Sequence, residues 1–539
     1  MATITPHRPP GPAGRDSFRQ ILHAEWTKFR TVRGWIVGML VAIFLVAGLG
    51  VLVAVPHATR QAIGQGPAGP APAATACPAI SPAIGPGAEP VNDQFYFVRQ
   101  PLAGNGSLTV RLTSLTGLLP AASLGDGLGS QPGLVPWSKA GIIVKDGICQ
   151  GSPYAAMMAT GGNGVRMQWN YTGDTPGLPG AVSAASPRWL RLTRDGDTIT
   201  GYDSADGTHW TQVGAVTLSG LPSTVQAGLF ATSPSPAKFA PAAITGGGGF
   251  SSGPSQATAV FDHVTTSGAW PASTWTGGYI GGGTAAEQKN LGGYHQAAGR
   301  ITVQGSGDIS PIVSGPANGA GYSQTIAQFL VGTFAGLIAV AVVATLFMTG
   351  EYRRGLIRIT LAASPRRGRV LAAKAIVIGS VGFVAGLVAA ACAVVLGADI
   401  VRHSTTSLLF PVPLPTELRV IVGTAALVAV AAIFTLAVAT MVRRGAAAVV
   451  IMIVAVVVPY FLSATSVLPA AVANWVLRIT PAAAFALQQS GTRYAQVQYP
   501  YSPATGFYPL APWTGFAVLC AWAALALAAA AYLLNRRDA

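Results

Sequence analysis

Charge is what this 539-residue chain has least of. Only 9% of its residues are Asp, Glu, Lys or Arg, where an ordinary soluble domain carries roughly a quarter. A shortfall that large requires long uncharged stretches and excludes a chain built only of soluble domains. Six such stretches have 20 or more residues: Gly34–Val55, Thr325–Thr349, Ala375–Ala398, Val420–Val442, Gly445–Ala464 and Trp513–Leu534. Each is long enough to cross a hydrocarbon core as a helix. None contains Asp, Glu, Lys, Arg or His. Ion-coupled carriers keep an ionisable group near mid-membrane, so this absence points to an energy source outside the spans. A G-x-x-x-x-G-K-[ST] segment is also missing, which excludes ATP hydrolysis by that route within these residues. The first stretch is too long for the apolar part of a cleaved signal peptide, and no clear A-x-A site follows it.

Cysteine is scarce too, with four in all. Cys392 and Cys520 fall within spans, where a thiol behaves as a small apolar group. Cys77 and Cys149 fall between the first two spans. If that region faces an oxidising exterior, a disulfide between them is allowed there, and sequence alone leaves the pairing open.

The charge that is present is unevenly placed. Residues 56–323 hold 12 bases and 12 acids, so the net +15 comes entirely from the rest of the chain. Six bases precede the first span, seven lie in residues 350–374, and Arg443, Arg444, Arg536 and Arg537 follow. With simple alternation of the spans, all of these share one side. The short loops of the other side hold only Arg402, Arg419, Arg478 and Arg493. The positive-inside rule then places both termini in the cytoplasm. The high pI therefore reflects topology, and no nucleic-acid partner is expected.

Between the first two spans, residues 56–92 are rich in Pro, Ala and Gly and read as an irregular linker. From 93 to 266 the pattern changes to strands. "SLTVRLTSL" alternates apolar and polar residues, and "RWLRLTRDGDTITGY" reads as strand, Asp-Gly turn, strand. Short strands with Gly-rich turns predict an all-β sandwich. Residues 267–324 are weakly patterned and read as an extracellular stalk. Residues 465–512 form an external segment with apolar, helix-like character that Arg478 and Pro481 interrupt. A short helix re-entering the outer leaflet and a full seventh span are both open. The re-entrant form keeps Arg536 and Arg537 on the basic side.

Before the first span, "SFRQILHAEWTKFRTVRGW" has helical periodicity, with Ile21, Leu22, Trp26 and Phe29 on one side. A basic amphipathic helix beside a membrane lies in the interface. The segment "GEYRRGLIRITLAASPRRGRVLAAK", residues 350–374, is the loop between the second and third spans. Positive-inside explains its sign. It does not explain Glu351 at the membrane edge, or a short helix over Tyr352–Ala363 that Pro365 ends.

Here the sequence resembles a family, the type-2 ATP-binding-cassette permeases. Glu351, Gly355, Leu361, Pro365, Arg367 and Lys374 match the pattern of their loop after the second span, with Leu356 where Thr is usual. "AEWTKFRTVRGW" resembles their N-terminal elbow helix through Glu25, Trp26, Lys28 and Arg30. "VLPAAVANWVLRITPAAA" resembles their re-entrant segment. The resemblance implies an α-helical six-span permease bundle. It also implies a coupling helix built from Glu351, Arg353, Arg354, Gly355, Arg358, Pro365, Arg366, Arg367 and Arg369. Its implied partner is a separate P-loop ATPase that carries ATP and Mg. A second permease copy, identical or not, would complete the pathway in a bacterial plasma membrane.

The strand region resembles a concanavalin-A-like (laminin-G-like) jelly roll inserted between spans 1 and 2, a class that often binds cell-surface glycans. Within it, "SADGTHW" resembles an Asp-box turn locked by Ser204, Asp206, Gly207 and Trp210. Catalysis is not expected, since a glycosidase needs two carboxylates facing across a cleft and the acids here mostly sit in turns. No metal-binding loop motif is present. A membrane-anchored glycan-binding or sensing protein without transport is the alternative reading, although six spans exceed what an anchor needs.

Overall fold

The structure, a computed structural model, describes residues 18–54, 77, 83–120, 130–236, 238–241, 248–251, 254–272, 274–281, 288–313, 323–353, 366–403, 408–464, 468–499 and 501–536. It divides into two compact units. One comprises Met1–Gln61, Gln324–Gly491 and Ser502–Ala539, and the other Ala62–Ser323 with Thr492–Tyr501.

The first unit is helical. Helix α1 (Phe18–Thr31) leads into α2 (Arg33–Ala54). Then come α3 (Thr333–Arg353), α4 (Arg367–Arg402) and α5 (Leu414–Val442). A continuous stretch follows as α6 (Gly445–Met452), a π turn (Ile453–Val457) and α7 (Val458–Ala464). The unit closes with α8 (Ala470–Ile479) and α9 (Pro512–Arg536). Six helices among the described residues are long and apolar enough to span a membrane: Arg33–Ala54, Gln328–Tyr352, Arg367–Arg402, Leu414–Val442, Gly445–Ala464 and Pro512–Arg536. Helix α5 is the most enclosed, with 72% of its apolar window buried against 22–28% for α2, α6–α7 and α9.

Small residues let these helices approach, because apolar side chains gain nothing by leaving lipid for one another. Gly382 and Gly386 of α4 face α5, where a Cβ on Gly386 would lie 3.0 Å from the Ala425 Cα. The G-x-x-x-G spacing therefore works within the chain. Helix α5 stops where Arg443 takes the left-handed conformation, φ 58°, a usual helix terminator.

Residues 465–512 contain no span-length helix among those described. Helix α8 has ten residues, about 15 Å, and Pro481 starts a separate, fully buried 3-10 turn, Pro481–Gln488. That turn is held by a polar knot and an aromatic cluster. The Gln488 amide donates to Thr333 Oγ1 at 3.1 Å and Thr424 Oγ1 at 3.2 Å. The rings of Phe334, Tyr460 and Phe485 stand 4.5–4.8 Å apart.

The second unit is built of strands: β1 (Ala83–Ile84), β2 (Pro90–Asp93), β3 (Phe95–Pro120), β4 (Ser130–Pro132), β5 (Lys139–Lys145), β6 (Tyr154–Thr160), β7 (Val165–Trp169) and β8 (Gly173–Pro176). These are followed by β9 (Arg188–Asp195), β10 (Thr198–Ser204), β11 (Thr211–Thr217), β12 (Thr224–Thr232), β13 (Lys238–Pro241), β14 (Gly248–Ser251) and β15 (Gln256–Ala269). The last are β16 (Thr276–Ile280), β17 (Gly292–Ala297), β18 (Arg300–Gly305) and β19 (Ile309–Pro311). The large sheet runs β11-β10-β9-β3-β12-β5-β6-β7-β8, with β4, β15 and β16 also paired to β3. Every strand pair in it is antiparallel.

Its central strands bury both faces. In β6, Ala155, Met157 and Ala159 enter one apolar cluster, while Tyr154, Ala156 and Met158 enter another. Alternate residues point to opposite faces, so a strand buried on both sides shows no polar alternation. The Asp-box reading holds at the atomic level. Ser204 Oγ accepts from the Gly207 N–H at 2.9 Å, Asp206 Oδ1 accepts from the Thr208 and His209 N–H groups at 2.8 Å, and Trp210 Nε1 donates to the Gly207 carbonyl.

Two boundaries read from sequence are corrected. Residues 267–324 are not simply a stalk, because β16 pairs with β3, β18 with β15 and β17, and β19 with β2. The linker 56–92 likewise ends early, since β1 and β2 form a three-stranded sheet with β19. Glycines hid the pattern. A Cβ on Gly277 would strike the Tyr294 ring, and one on Gly305 would strike the Ala231 carbonyl. Close approach therefore replaced the side chains whose alternation marks a strand. Two buried ion pairs fix these additions, Lys145–Asp93 and Lys139–Asp308, both at 2.7 Å.

If residues 300–305 were stalk, a charge there would be harmless. Val303 is 0% exposed, so Val303→Asp buries an unpaired carboxylate at a cost of several kcal/mol. It should make the strand unit protease-sensitive; wild-type resistance would refute the corrected boundary. Acid supplies a second check. The Arg111 guanidinium, donating at 2.7 and 2.8 Å, holds Asp262 down to about 2 from its ordinary 3.8. A carboxyl depressed in the fold contributes stability above its ordinary value and loses it as pH falls through the lowered one. Asp262→Asn should flatten the loss of thermal stability between about pH 4 and pH 2, and an unchanged acid limb would count against it.

Candidate functional site

Helical pitch puts Leu22, Glu25 and Phe29 of α1 on one face, three or four residues apart. Glu25 and Phe29 are buried there, with the Phe29 ring 5.7 Å from Phe347 and 5.9 Å from Trp35. Glu351 lies near the end of α3, and Lys374 in the second turn of α4. Lys374 and Glu351 therefore flank residues 354–365, which lie outside the described residues.

These elements converge on one cluster. Lys374 Nζ donates to Glu25 Oε2 at 2.7 Å and to Glu351 Oε1 at 2.8 Å. It also sits 4.5 Å from the centre of the Phe347 ring. Lys28 Nζ closes the set, donating to Glu25 Oε1 at 2.8 Å and Glu351 Oε1 at 2.9 Å. Glu25 and Lys374 are each 1% exposed and Glu351 is 8% exposed. Burial works against the charged Lys28, but the Glu25 and Glu351 carboxylates outweigh it and hold its pKa above the ordinary 10.5.

Formally the cluster is neutral. That matters because burying an ion costs several kcal/mol unless attraction and hydrogen bonds offset it. Glu351 Oε2 is buried with no hydrogen-bond partner among the described residues, so the cluster keeps one open acceptor. At the start of α4, Arg367 Nη1 donates to the Leu534 carbonyl at 2.7 Å. A cation there complements the C-terminal end of α9. The arrangement is a mechanical latch. It ties the N-terminal helix and the ends of two span-length helices to both flanks of one loop.

The residues singled out from sequence divide accordingly. Glu25, Lys28 and Glu351 meet in the latch. Arg366 and Arg369 are exposed at the start of α4, and Arg30 is exposed on α1. Trp26 is 43% exposed while its neighbour Glu25 turns inward, a placement open to an apolar side chain on a helix lying in the membrane interface. The side chain of Arg353 and residues Arg354, Gly355, Arg358 and Pro365 lie outside the described residues. Lys374 matches the family pattern but lies outside the residues that the resemblance assigns to the coupling helix. Its signal was a lone lysine at the edge of an uncharged span. Cys77 and Cys149 are disulfide-bonded, Cα–Cα 5.3 Å, within the usual range.

A model of the ABC-2 family of transporter proteins matches residues 199–539. The chain belongs to that family. The matched region contains Glu351 and Lys374, while Glu25 and Lys28 lie outside it. A permease of this kind normally works with a separate ATPase subunit. Curated protein sequences give no match.

Some solved structures resemble parts of the permease chain weakly. A functionally unknown protein from Saccharomyces cerevisiae is 13% identical over 33% of this chain and 76% of its own, TM-score 0.19. The GH43 BlXynB protein from Bacillus licheniformis is 18% identical over 24% of each chain, TM-score 0.16. The match thus spans about a quarter of that protein. Scytalido-glutamic peptidase with a transition state analog inhibitor is 7% identical over 41% of this chain and all of its own, TM-score 0.23. Likenesses this slight carry no argument about function.

The latch makes the two lysines unequal. Lys374→Met leaves two buried carboxylates facing each other, and breaking a buried ion set this way costs about 3–5 kcal/mol. Lys28, at the half-open edge, should cost about 1 kcal/mol or less as Lys28→Met. Thermal unfolding of the purified permease should rank them in that order. Equal losses would remove the buried-latch account.

Proposed function

We propose that the chain is the permease subunit of an ATP-driven exporter in a bacterial plasma membrane, with both termini cytoplasmic. The loop over 354–365, with Arg366, Arg367 and Arg369 beside it, docks on a P-loop ATPase subunit that carries ATP and Mg. A second permease copy completes the pathway. The single observation carrying this reading is the latch. A docking loop must pass displacement into the spans without its ends yielding, and neutral, buried ion pairs make both flanks stiff. Arg366 and Arg369 are exposed and supply a polar face for a partner groove, and neither is used by the latch. The absence of ionisable groups from the span interiors supports an energy source on another chain.

The strand unit is read as an extracellular, lectin-like jelly roll. Its all-antiparallel sheet with both faces packed fits that class, and the Cys77–Cys149 disulfide fits an oxidising compartment. Cell-surface glycan is the ligand class this reading implies. The alternative of a non-transporting anchor leaves the latch without a purpose.

Docking is tested away from the latch. Arg366→Glu with Arg369→Glu should cut co-purification of the ATPase subunit roughly tenfold, since reversed charges at an interface repel as well as fail to attract. Membrane insertion should be unchanged. Wild-type capture by this variant, or no ATPase captured by the native permease, would sink the coupling role.

A further inference from the structure

Arg443 and Arg444 take no part in the latch, yet they stand at the same end of the helical unit. The Arg443 guanidinium lies 5.3 Å from the centre of the Tyr352 ring, next to Glu351. Between α3 and the start of α6 opens a cleft of about 660 Å³. Its two ends differ in chemistry. Gly445 lies against Thr349, where a Cβ would be 3.4 Å from Oγ1, so the arginines sit at the Thr349 end. Val342, Leu346 and Val449 wall the rest, about two helical turns along α3.

The polar end is positive and uncompensated. Among the described residues no acid lies within ion-pair distance of Arg443 or Arg444. The hydroxyls of Thr345 and Thr349 donate to carbonyls of their own helix at 2.8 Å. Among the described residues, the threonine hydroxyls of the cleft are thus satisfied, and the two guanidiniums are left to meet an anion. Arg444 also precedes the first turn of α6 without capping it, which adds the positive end of a helix. The wall is apolar and open, with Val342 40% and Leu346 42% exposed. A small anion would satisfy the arginines and leave that wall bare. A ligand with an anionic head and an acyl chain satisfies both ends.

We propose that this cleft binds an anionic phospholipid, its phosphate between Arg443 and Arg444 and its acyl chain along Val342, Leu346 and Val449. That the lipid comes from the cytoplasmic leaflet rests on the orientation proposed above; the binding itself does not. Through Arg443 and Tyr352 the occupied site bears on the end of α3 that carries Glu351, so bound lipid steadies the latch.

The test uses the full chain purified in neutral detergent, without ATP, so a failed ATPase capture leaves it readable. Native mass spectrometry and melting temperature are followed while phosphatidylglycerol, phosphatidylcholine or inorganic phosphate is added. Phosphatidylglycerol should be retained preferentially and should raise the melting temperature. Arg443→Asn with Arg444→Gln should lower its retention on the order of tenfold, the worth of basic contacts near an anionic lipid. Asn is used because it tolerates the left-handed cap. Leu346→Trp, which fills the groove without touching charge, should lower retention as well, and it decides the matter if the double variant fails to fold. Arg536→Gln, elsewhere on the surface, should change nothing. Equal retention of the two lipids, full retention by both cleft variants, displacement by millimolar inorganic phosphate, or an equal loss in Arg536→Gln would each overturn the proposal.

Discussion

Four charged groups in a low-dielectric pocket are the constraint on which the helical unit depends. Glu25, Lys28, Glu351 and Lys374 come from three helices, and each carboxylate serves both ammonium groups. Attraction between such charges strengthens as water is excluded, while the cost of isolating any one of them rises equally. The set therefore depends most on its enclosed member, Lys374, and least on Lys28 at the half-open edge. This is why an amphipathic helix that could have lain loosely on a membrane is instead pinned to two span-length helices. It also explains how a chain with so little charge uses it where rigidity is worth most.

The spans around the latch follow a different physics. With no gain from burying apolar side chains out of lipid, their packing rests on small residues and on a few polar contacts. The α4–α5 seam uses Gly382 and Gly386. At the far end, Gln488 joins Thr333 and Thr424 where the 3-10 turn folds back among the helices. Polar groups thus mark both ends of the helical unit. One end is held by ions and the other by amide and hydroxyl.

The strand unit repeats the first theme. Lys139 and Lys145 are fully buried and answered by Asp308 and Asp93, which lie on or beside β19 and β2. These pairs fasten the short strands β2 and β19 to a sheet whose centre is apolar on both faces. The segments concerned are those whose composition resembles a linker and a stalk. Low hydrophobicity there does not signal an unstructured region, because backbone pairing and ion pairs hold what side-chain burial does not.

The lengths of the uncharged runs alone determined the number of span-length helices, since the hydrocarbon thickness sets a minimum that six stretches meet. Alternation and Asp-Gly turns determined the strand character of 93–266. The family pattern singled out Glu25 and Glu351, two carboxylates that the structure brings onto the same lysines. Which residues meet was decided only by tertiary structure. The turn of α1 that hides Glu25 and exposes Trp26, the reach of Lys374 across to Glu25, and the pairing of β16 to β19 all depend on partners distant in the chain. Sequence periodicity records which face of an element is apolar, but a buried charge carries no such mark, because its burial is favourable only in the presence of the particular opposite charge that folding brings to it.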